Sequence, residues 1–332
     1  MKPRGLLLWA VLAWLGISGC NRYANFSLPS PPPSLPAASF EWKPDAAPSL
    51  SPGGWDSEDV LNPSVLRRNG EYYNLYSGYD GKAWHTGLAT SKDGVRWRKL
   101  GRILSPRPET WEGNYIAANG AALFDRGEFL YWYQAGPRGG HQIGLARSPD
   151  ARQWTRVPGP VLETGPRGSW DERGAADPAV LRIAGFFYMY YLGQDRAGRQ
   201  RLGAARSADG VRWQKLRTNP VLEPGLDGAF DENGLGEPAV WQSHGKYWML
   251  YTGRDRREYR RLGLANSADG VIWEKQPGAF AGEEPWNGKV LCDPTVLVEG
   301  ESIRVWFGGG DRASPDENLH GQIGVARLVP KL

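Results

Sequence analysis

One repeat dominates the chain. Trp170–Leu181, WDERGAADPAVL, has counterparts at Trp55…Asn62-Pro63-Ser64-Val65, Phe230…Glu237-Pro238-Ala239-Val240 and Trp286…Asp293-Pro294-Thr295-Val296, all in register without a gap. A looser fifth copy, Trp111…Asn119-Gly120-Ala121-Ala122, carries one extra residue. A chain that repeats itself every roughly 55–60 residues must stack copies of one supersecondary unit, because no copy can bury its faces alone. In four copies the polar residue at the head of the motif precedes Pro, which biases it toward an extended conformation and opens an apolar strand.

Three more strands follow each head. The second is aromatic and ends at Gly (EYYNLYSG, EFLYWYQAG, FFYMYYLG, KYWMLYTG, SIRVWFGG), and the third reads TGLATS, IGLARS, LGAARS, LGLANS and IGVAR. Ser-x-Asp-Gly-x-x-Trp announces a fourth at Ser91–Trp97, Ser207–Trp213 and Ser267–Trp273, with Ala151 replacing Gly in Ser148–Trp154. Asp-Gly supplies the positive-φ turn of a tight hairpin, and the Trp covers the sheet. Four short strands per repeat predict an all-β fold, a five-bladed β-propeller of four-stranded antiparallel blades. The blades fall at about 55–104, 111–162, 170–222, 230–280 and 286–328. The last repeat stops after Ile323–Arg327 without a fourth strand, while Phe40-Glu41-Trp42-Lys43 before Pro48-Ser49-Leu50 imitates Trp213-Gln214-Lys215 before Pro220-Val221-Leu222. Residues 38–50 are therefore expected to complete blade five and remove the open edge.

Residues 1–19 carry Lys2 and Arg4 ahead of an apolar run too short to span a bilayer, the pattern of a signal peptide. Ile17-Ser18-Gly19-Cys20 resembles a bacterial lipobox, so Cys20 is expected to be lipidated, anchoring the exported protein at the cell envelope. The Pro- and Ser-rich residues 20–37 read as a flexible tether, and 38–332 as one domain.

Composition excludes several classes. The net charge of +4 is modest and scattered, and no nucleic-acid-binding motif accompanies it, so no nucleic-acid partner is expected. With Cys20 acylated, Cys292 is the sole thiol, which rules out a disulfide framework or a cysteine zinc site. Gly-rich phosphate loops and Gly-x-Ser-x-Gly elbows are absent. No cofactor is required by anything in the chain, and nothing in it fixes an oligomeric state.

In a propeller the innermost strands begin around a central funnel, which brings together Asn62, Asn119, Asp177, Glu237 and Asp293. Asp-Pro is a common turn pair whose carboxylate caps its own backbone, but Glu caps such turns poorly, so Glu237 points to function. Carboxyls gathered in a funnel repel one another and raise at least one pKa, making a general acid available near neutrality. Glycoside hydrolysis asks for that arrangement: a protonated carboxyl for the leaving oxygen and an ionised one to activate water or attack the sugar.

These repeats, the Asp-Pro and Glu-Pro heads and the Ser-x-Asp-Gly-x-x-Trp turns resemble the five-bladed β-propeller glycosidases, glycoside hydrolase family 43 with relatives in families 32, 62, 68, 117 and 130. The resemblance implies a general acid at Glu237 and a pKa-modulating Asp at Asp177. At blade one it implies a base where this chain has Asn62, which cannot accept a proton. Asp293, Asp59 or Asp56 could replace that base; otherwise the protein is a carbohydrate-binding propeller. A third alternative, implied by the family 130 relatives, is a phosphate-dependent phosphorylase. Asn62 and Asn119 are then expected on sugar hydroxyls, together with the loop cations Arg196, Arg256 and Arg312, unless those cations pair with neighbouring Asp. Tyr79, Trp84, Tyr115 and Tyr259 are candidate stacking platforms. His85, His141, His244 and His320 are too dispersed for a metal site; the resemblance adds only His320 as a candidate beside a structural calcium.

Overall fold

A computed structural model describes residues 22–331. Among them the fold is all-β, without a helix. Two strands precede the repeats, β1 (Tyr23–Ala24) and β2 (Ser39–Pro44). The first repeat forms β3 (Asp59–Arg68), β4 (Glu71–Tyr79), β5 (Trp84–Ser91) and β6 (Arg98–Leu104); the second forms β7 (Ile116–Asp125), β8 (Glu128–Gly136), β9 (Gln142–Ser148) and β10 (Thr155–Arg156). The third supplies β11 (Gly174–Ile183), β12 (Phe186–Gln194), β13 (Gln200–Ser207) and β14 (Trp213–Leu216), and the fourth β15 (Gly234–Ser243), β16 (Lys246–Arg254), β17 (Arg260–Ser267) and β18 (Glu274–Lys275). The fifth contributes β19 (Val290–Glu299), β20 (Ser302–Gly310) and β21 (Gln322–Lys331). Within each repeat, successive strands pair antiparallel. β2 lies antiparallel on β21, Ser39 opposite Lys331 and Pro44 opposite Ala326.

Each Ser-x-Asp-Gly turn is a compact hydrogen-bond device. Ser91 Oγ accepts the Asp93 and Gly94 N–H groups, and Asp93 Oδ1 accepts those of Val95 and Arg96. Gly94, Gly210 and Gly270 have φ of 72–75°, and Ala151 in the variant turn has φ 62°. The freed glycine carbonyl then docks the neighbouring repeat: Gly94 O accepts Trp306 Nε1–H, Gly210 O accepts Trp132 Nε1–H, and Gly270 O accepts Tyr190 O–H. The aromatics of the second strand thus fasten adjacent repeats while filling the core.

A second repeated device was not anticipated from sequence. The acid following each motif-opening aromatic is buried and bonded to the second-strand Tyr: Asp56 to Tyr76, Glu112 to Tyr133, Asp171 to Tyr191 and Asp231 to Tyr251. A fourth-strand cation neutralises it, namely Lys99, Arg156, Lys215 and Lys275 in turn. In the fifth repeat acid and phenol are both replaced, by Asn287 and Phe307. Correlated loss is what electrostatics demands, since a buried charge without its partner is costly. Lys215, 2.5 Å from Asp171, provides the test. Lys215→Met is expected to cost about 3–5 kcal/mol by stranding a buried carboxylate, read as a fall in thermal midpoint. Lys43→Met, on the strand paired with the acid-free fifth repeat, is expected to cost little.

Residues 22–37 differ from the expected tether. β1 pairs parallel with β14. Phe26 packs on Tyr188, Leu28 and Ala37 are buried, Leu28 N–H donates to Asp269 O, and Tyr247 O–H donates to Pro29 O. The segment is a strap across the third and fourth repeats, because its few apolar side chains find pockets that proline-rich composition alone does not reveal. The signal peptide and Cys20 lie outside the described residues.

Candidate active site

The five head residues converge. Asn62, Asn119, Asp177, Glu237 and Asp293 all line a cavity of about 300 Å³, and they also line a second cavity of about 190 Å³. Their backbone is not extended, contrary to the expectation from the following Pro: φ is 45°, 45°, 46°, 42° and 52° in turn. The register of the first strand against the second shifts at each of them, between 61 and 64, 118 and 121, 176 and 179, 236 and 239, and 292 and 295. A bulge re-aims a side chain out of the strand's alternation, here into the shared cavity. Left-handed φ is tolerated by Asn and Asp but is uncommon for a longer residue. Strain held at Glu237 therefore marks a position where the side chain's placement matters.

The ring is internally wired. Asn62 N–H donates to Asp293 Oδ2 at 3.2 Å, and Asn119 Nδ2–H donates to Asp177 Oδ1 at 3.4 Å. Thr252 Oγ1 accepts the Asp293 N–H, Gln134 Oε1 accepts the Asp177 N–H, and Cys292 S–H donates to Asp293 Oδ2. Burial, followed by the charges of Glu237 and Asp293, pushes Asp177 well above the carboxylate range. Asp293 is pushed up to about 7 by burial and then by Glu237, against the opposing Cys292, Arg260 and Asn62 contacts. Both aspartates are thus held toward the protonated state by burial first and by Glu237 second. Glu237 Oε2 is buried and has no hydrogen-bond partner.

The cavity wall adds Trp84, Tyr115, Arg138, His141, Arg254 and Arg260. Arg260 donates to the carbonyls of Ser314 and Pro315, and Arg254 donates to Gln200 Oε1. His141 stacks on Tyr115, its Nδ1 buried and unpartnered; burial and then the Arg138 charge pull it down to about 4. Arg138 lies over the Tyr115 ring and pairs with Asp316 and Glu317, tying the 311–321 loop of the fifth repeat to the second.

Several expected residues lie elsewhere. Arg196 and Arg256 are 62% and 63% exposed and pair with Glu172 and with Asp227 and Glu232. Arg312 is exposed. These cations sit at hairpin tips that point outward, whereas Arg254 and Arg260, at the strand ends beneath the tip, point in. Of the aromatics, Trp84 and Tyr115 reach the cavity. Tyr79 packs behind Trp84, and Tyr259 accepts from Lys289 outside it. His320 pairs with Asp311 in an exposed hairpin, and among the described residues no group of three acids, His or Cys could hold a metal ion.

Neither substitute base upstream of Asn62 is free. Asp56 is locked by Lys99 and Tyr76. Asp59 accepts the N–H groups of Asn318, Leu319 and Gly321 at 2.7, 3.1 and 2.7 Å, pinning the 311–321 loop. Arg254 belongs to the same repeated run of cations as Arg256, whereas Arg260, Arg138 and His141 had no signal in the repeat that singled them out; only the third-strand start shared by Gln200 and Arg260 hints at an inward position.

Residues 119–302 match the model of the glycosyl hydrolases family 32 N-terminal domain. A protein of Mycobacterium tuberculosis (strain CDC 1551 / Oshkosh), described as uncharacterized, is 28% identical over 232 residues, covering 64% of this chain and 75% of that protein. A 1,2-beta-oligomannan phosphorylase of Thermoanaerobacter sp. (strain X514) is 30% identical over 219 residues, covering 62% of this chain and 64% of that protein. One solved structure is described in the words "The GH130 family of mannoside phosphorylases contains glycoside hydrolases that target beta-1,2 mannosidic linkages in Candida mannan". It aligns with a TM-score of 0.70 at 17% identity, over 89% of this chain and 96% of that one, a likeness of fold alone. With more than half of its length inside the family match, the chain belongs to the glycosyl hydrolases family 32 N-terminal domain family and acts on glycosidic bonds.

Proposed function

We propose that the protein is an enzyme that cleaves a glycosidic bond in an oligo- or polysaccharide with Glu237, Asp177 and Asp293 as its working carboxyls. Its five repeats are read as the blades of a five-bladed propeller, with β2 closing the ring. The carrying observation is Glu237 Oε2, buried and unpartnered in a cavity that it shares with two carboxyls held toward protonation. A carboxyl placed to reach the leaving oxygen acts as its general acid. Glu237 is that carboxyl, with Asp177 and Asp293 beside it in the cavity, and Asn62 and Asn119 meet sugar hydroxyls. Cys20 is proposed to carry the lipid that holds the enzyme at the bacterial envelope.

A second reading concerns the acceptor. Hydrolysis needs a base for water, yet Asn62 is none and both Asp56 and Asp59 are engaged. Inorganic phosphate attacks without a base, and guanidinium groups suit its oxygens; Arg254 and Arg260 stand on the cavity wall. The phosphorylase relative favours β-1,2-linked mannosides as first substrates to test. Product release from them by the full chain, with and without inorganic phosphate, separates the readings. Sugar phosphate formed only with phosphate establishes phosphorolysis, and free sugar in both arms establishes hydrolysis. Binding without release, on this and wider glycan panels, leaves a carbohydrate-binding propeller and sinks the enzyme reading.

A further inference from the structure

We propose that the face opposite the cavity mouth is a phospholipid-docking surface, so that the anchored protein presents its cavity away from the bilayer. The inference rests on the reading of Cys20 as lipidated and adds an orientation to it.

Strand direction defines the two faces. First strands leave the cavity at Asn62, Asn119, Asp177, Glu237 and Asp293, and second strands return to it at Gln134, Gln194 and Arg254. The turns joining first to second strands, and all the Ser-x-Asp-Gly turns that end the third, therefore lie on the far face. The strap follows that face: Leu28 bonds to Asp269 of one such turn, and Ser34 lies against Gly245 of another.

The strap's entry point sets the anchor's position. β1 runs parallel to β14, Tyr23 beside Lys215 and Ala24 beside Leu216, and Lys215 N–H donates to Arg22 O. Because β14 climbs from the far-face turn Ser207–Trp213 and β1 runs parallel to it, the N-terminal end of β1 faces that turn. Cys20 precedes Tyr23 by three residues in the sequence, so the link from the proposed lipid to the fold spans at most about 10 Å. A link that short brings an anchored protein against the bilayer, where a long free tether would hold it away.

The same face carries the apolar side chains for that contact. Ile272 is 77% exposed and Val95 37% exposed on Ser-x-Asp-Gly turns, Phe186 38% and Val298 41% beside first-to-second turns, and Leu35 76% on the strap. Charges on these turns are largely matched in pairs such as Arg96–Asp93 and Arg212–Asp209, so apolar insertion rather than net charge drives the docking. The second cavity runs toward this face between apolar residues, among them Leu66, Leu123, Leu181 and Leu297.

The test uses the full acylated chain on vesicles of phosphatidylethanolamine and phosphatidylglycerol, with Cys20→Ser as the unanchored control. A polarity-sensitive fluorophore is attached at Val95→Cys or Ile272→Cys on the far face and at Arg196→Cys or Arg256→Cys on the cavity side; Cys292 is buried. The proposal expects nitroxide-bearing lipids to quench the first pair and leave the second pair bright. Equal quenching, or quenching confined to positions 196 and 256, overturns the docking surface while leaving the anchor intact. Failure of the acylated chain to float with vesicles overturns both.

Discussion

Glu237→Gln is expected to lower the rate of glycosidic cleavage by about 100- to 10,000-fold, the range for loss of a positioned acid–base group. The substitution keeps the side chain's length and the left-handed backbone at φ 42°, so the loss should fall on kcat with KM and the thermal midpoint little changed. Gln cannot act as a general acid toward the leaving oxygen. It also removes the charge that acts on both Asp177 and Asp293, so the pH profile of whatever rate remains should move down. A variant that keeps a tenth or more of the parental rate would remove Glu237 from the contact role.

The pH response is the second large effect. Asp293 titrates at about 7 in the folded protein against an ordinary value of 3.8. A carboxyl whose folded pKa is raised binds its proton more tightly when folded. Its contribution to stability is complete below about pH 4 and is lost as pH rises through about 7, after which the deficit is constant. Asp293→Asn removes the buried charge and should unfold at a higher temperature than the parent at pH 8.5, with the gap closing toward pH 4. The ceiling of the effect is about 4 kcal/mol. Activity of the parent should fall over the same window as the buried carboxyls lose their protons. Thermal midpoints for parent and variant at pH 5 and 8.5, beside a rate profile, check both; a variant less stable than the parent at pH 8.5 would refute the buried-charge account.

Much of the site follows from one alignment of the chain on itself. Stacked repeats place equivalent positions at equivalent radii, so a polar position that varies while its neighbours keep their pattern must face something other than the core. That logic reached Asn62, Asn119, Asp177, Glu237 and Asp293, which meet in one cavity. It failed for Arg196, Arg256 and Arg312 because hairpin tips and strand ends carry cations in adjacent positions, and the turn geometry decides which ones face inward. Asp56 and Asp59 looked available as bases only because their partners, Lys99 and the 318–321 backbone, lie far away in the chain.

What the amino-acid order determines by itself is local and periodic: the strands, the Ser-x-Asp-Gly turns with their positive-φ glycines, and the five positions that head the repeats. Tertiary structure alone decided which atoms those positions meet. Bulges turned the head residues into left-handed conformations that the following Pro does not announce. The path of residues 22–37 depended on pockets built by the third and fourth repeats. The protonation of Asp177 and Asp293 depends on burial and on the distance to Glu237, more than fifty residues away from each along the chain. Periodicity is a property of neighbours in sequence, whereas desolvation and Coulomb energy are set by neighbours in space, and only folding brings the second kind together.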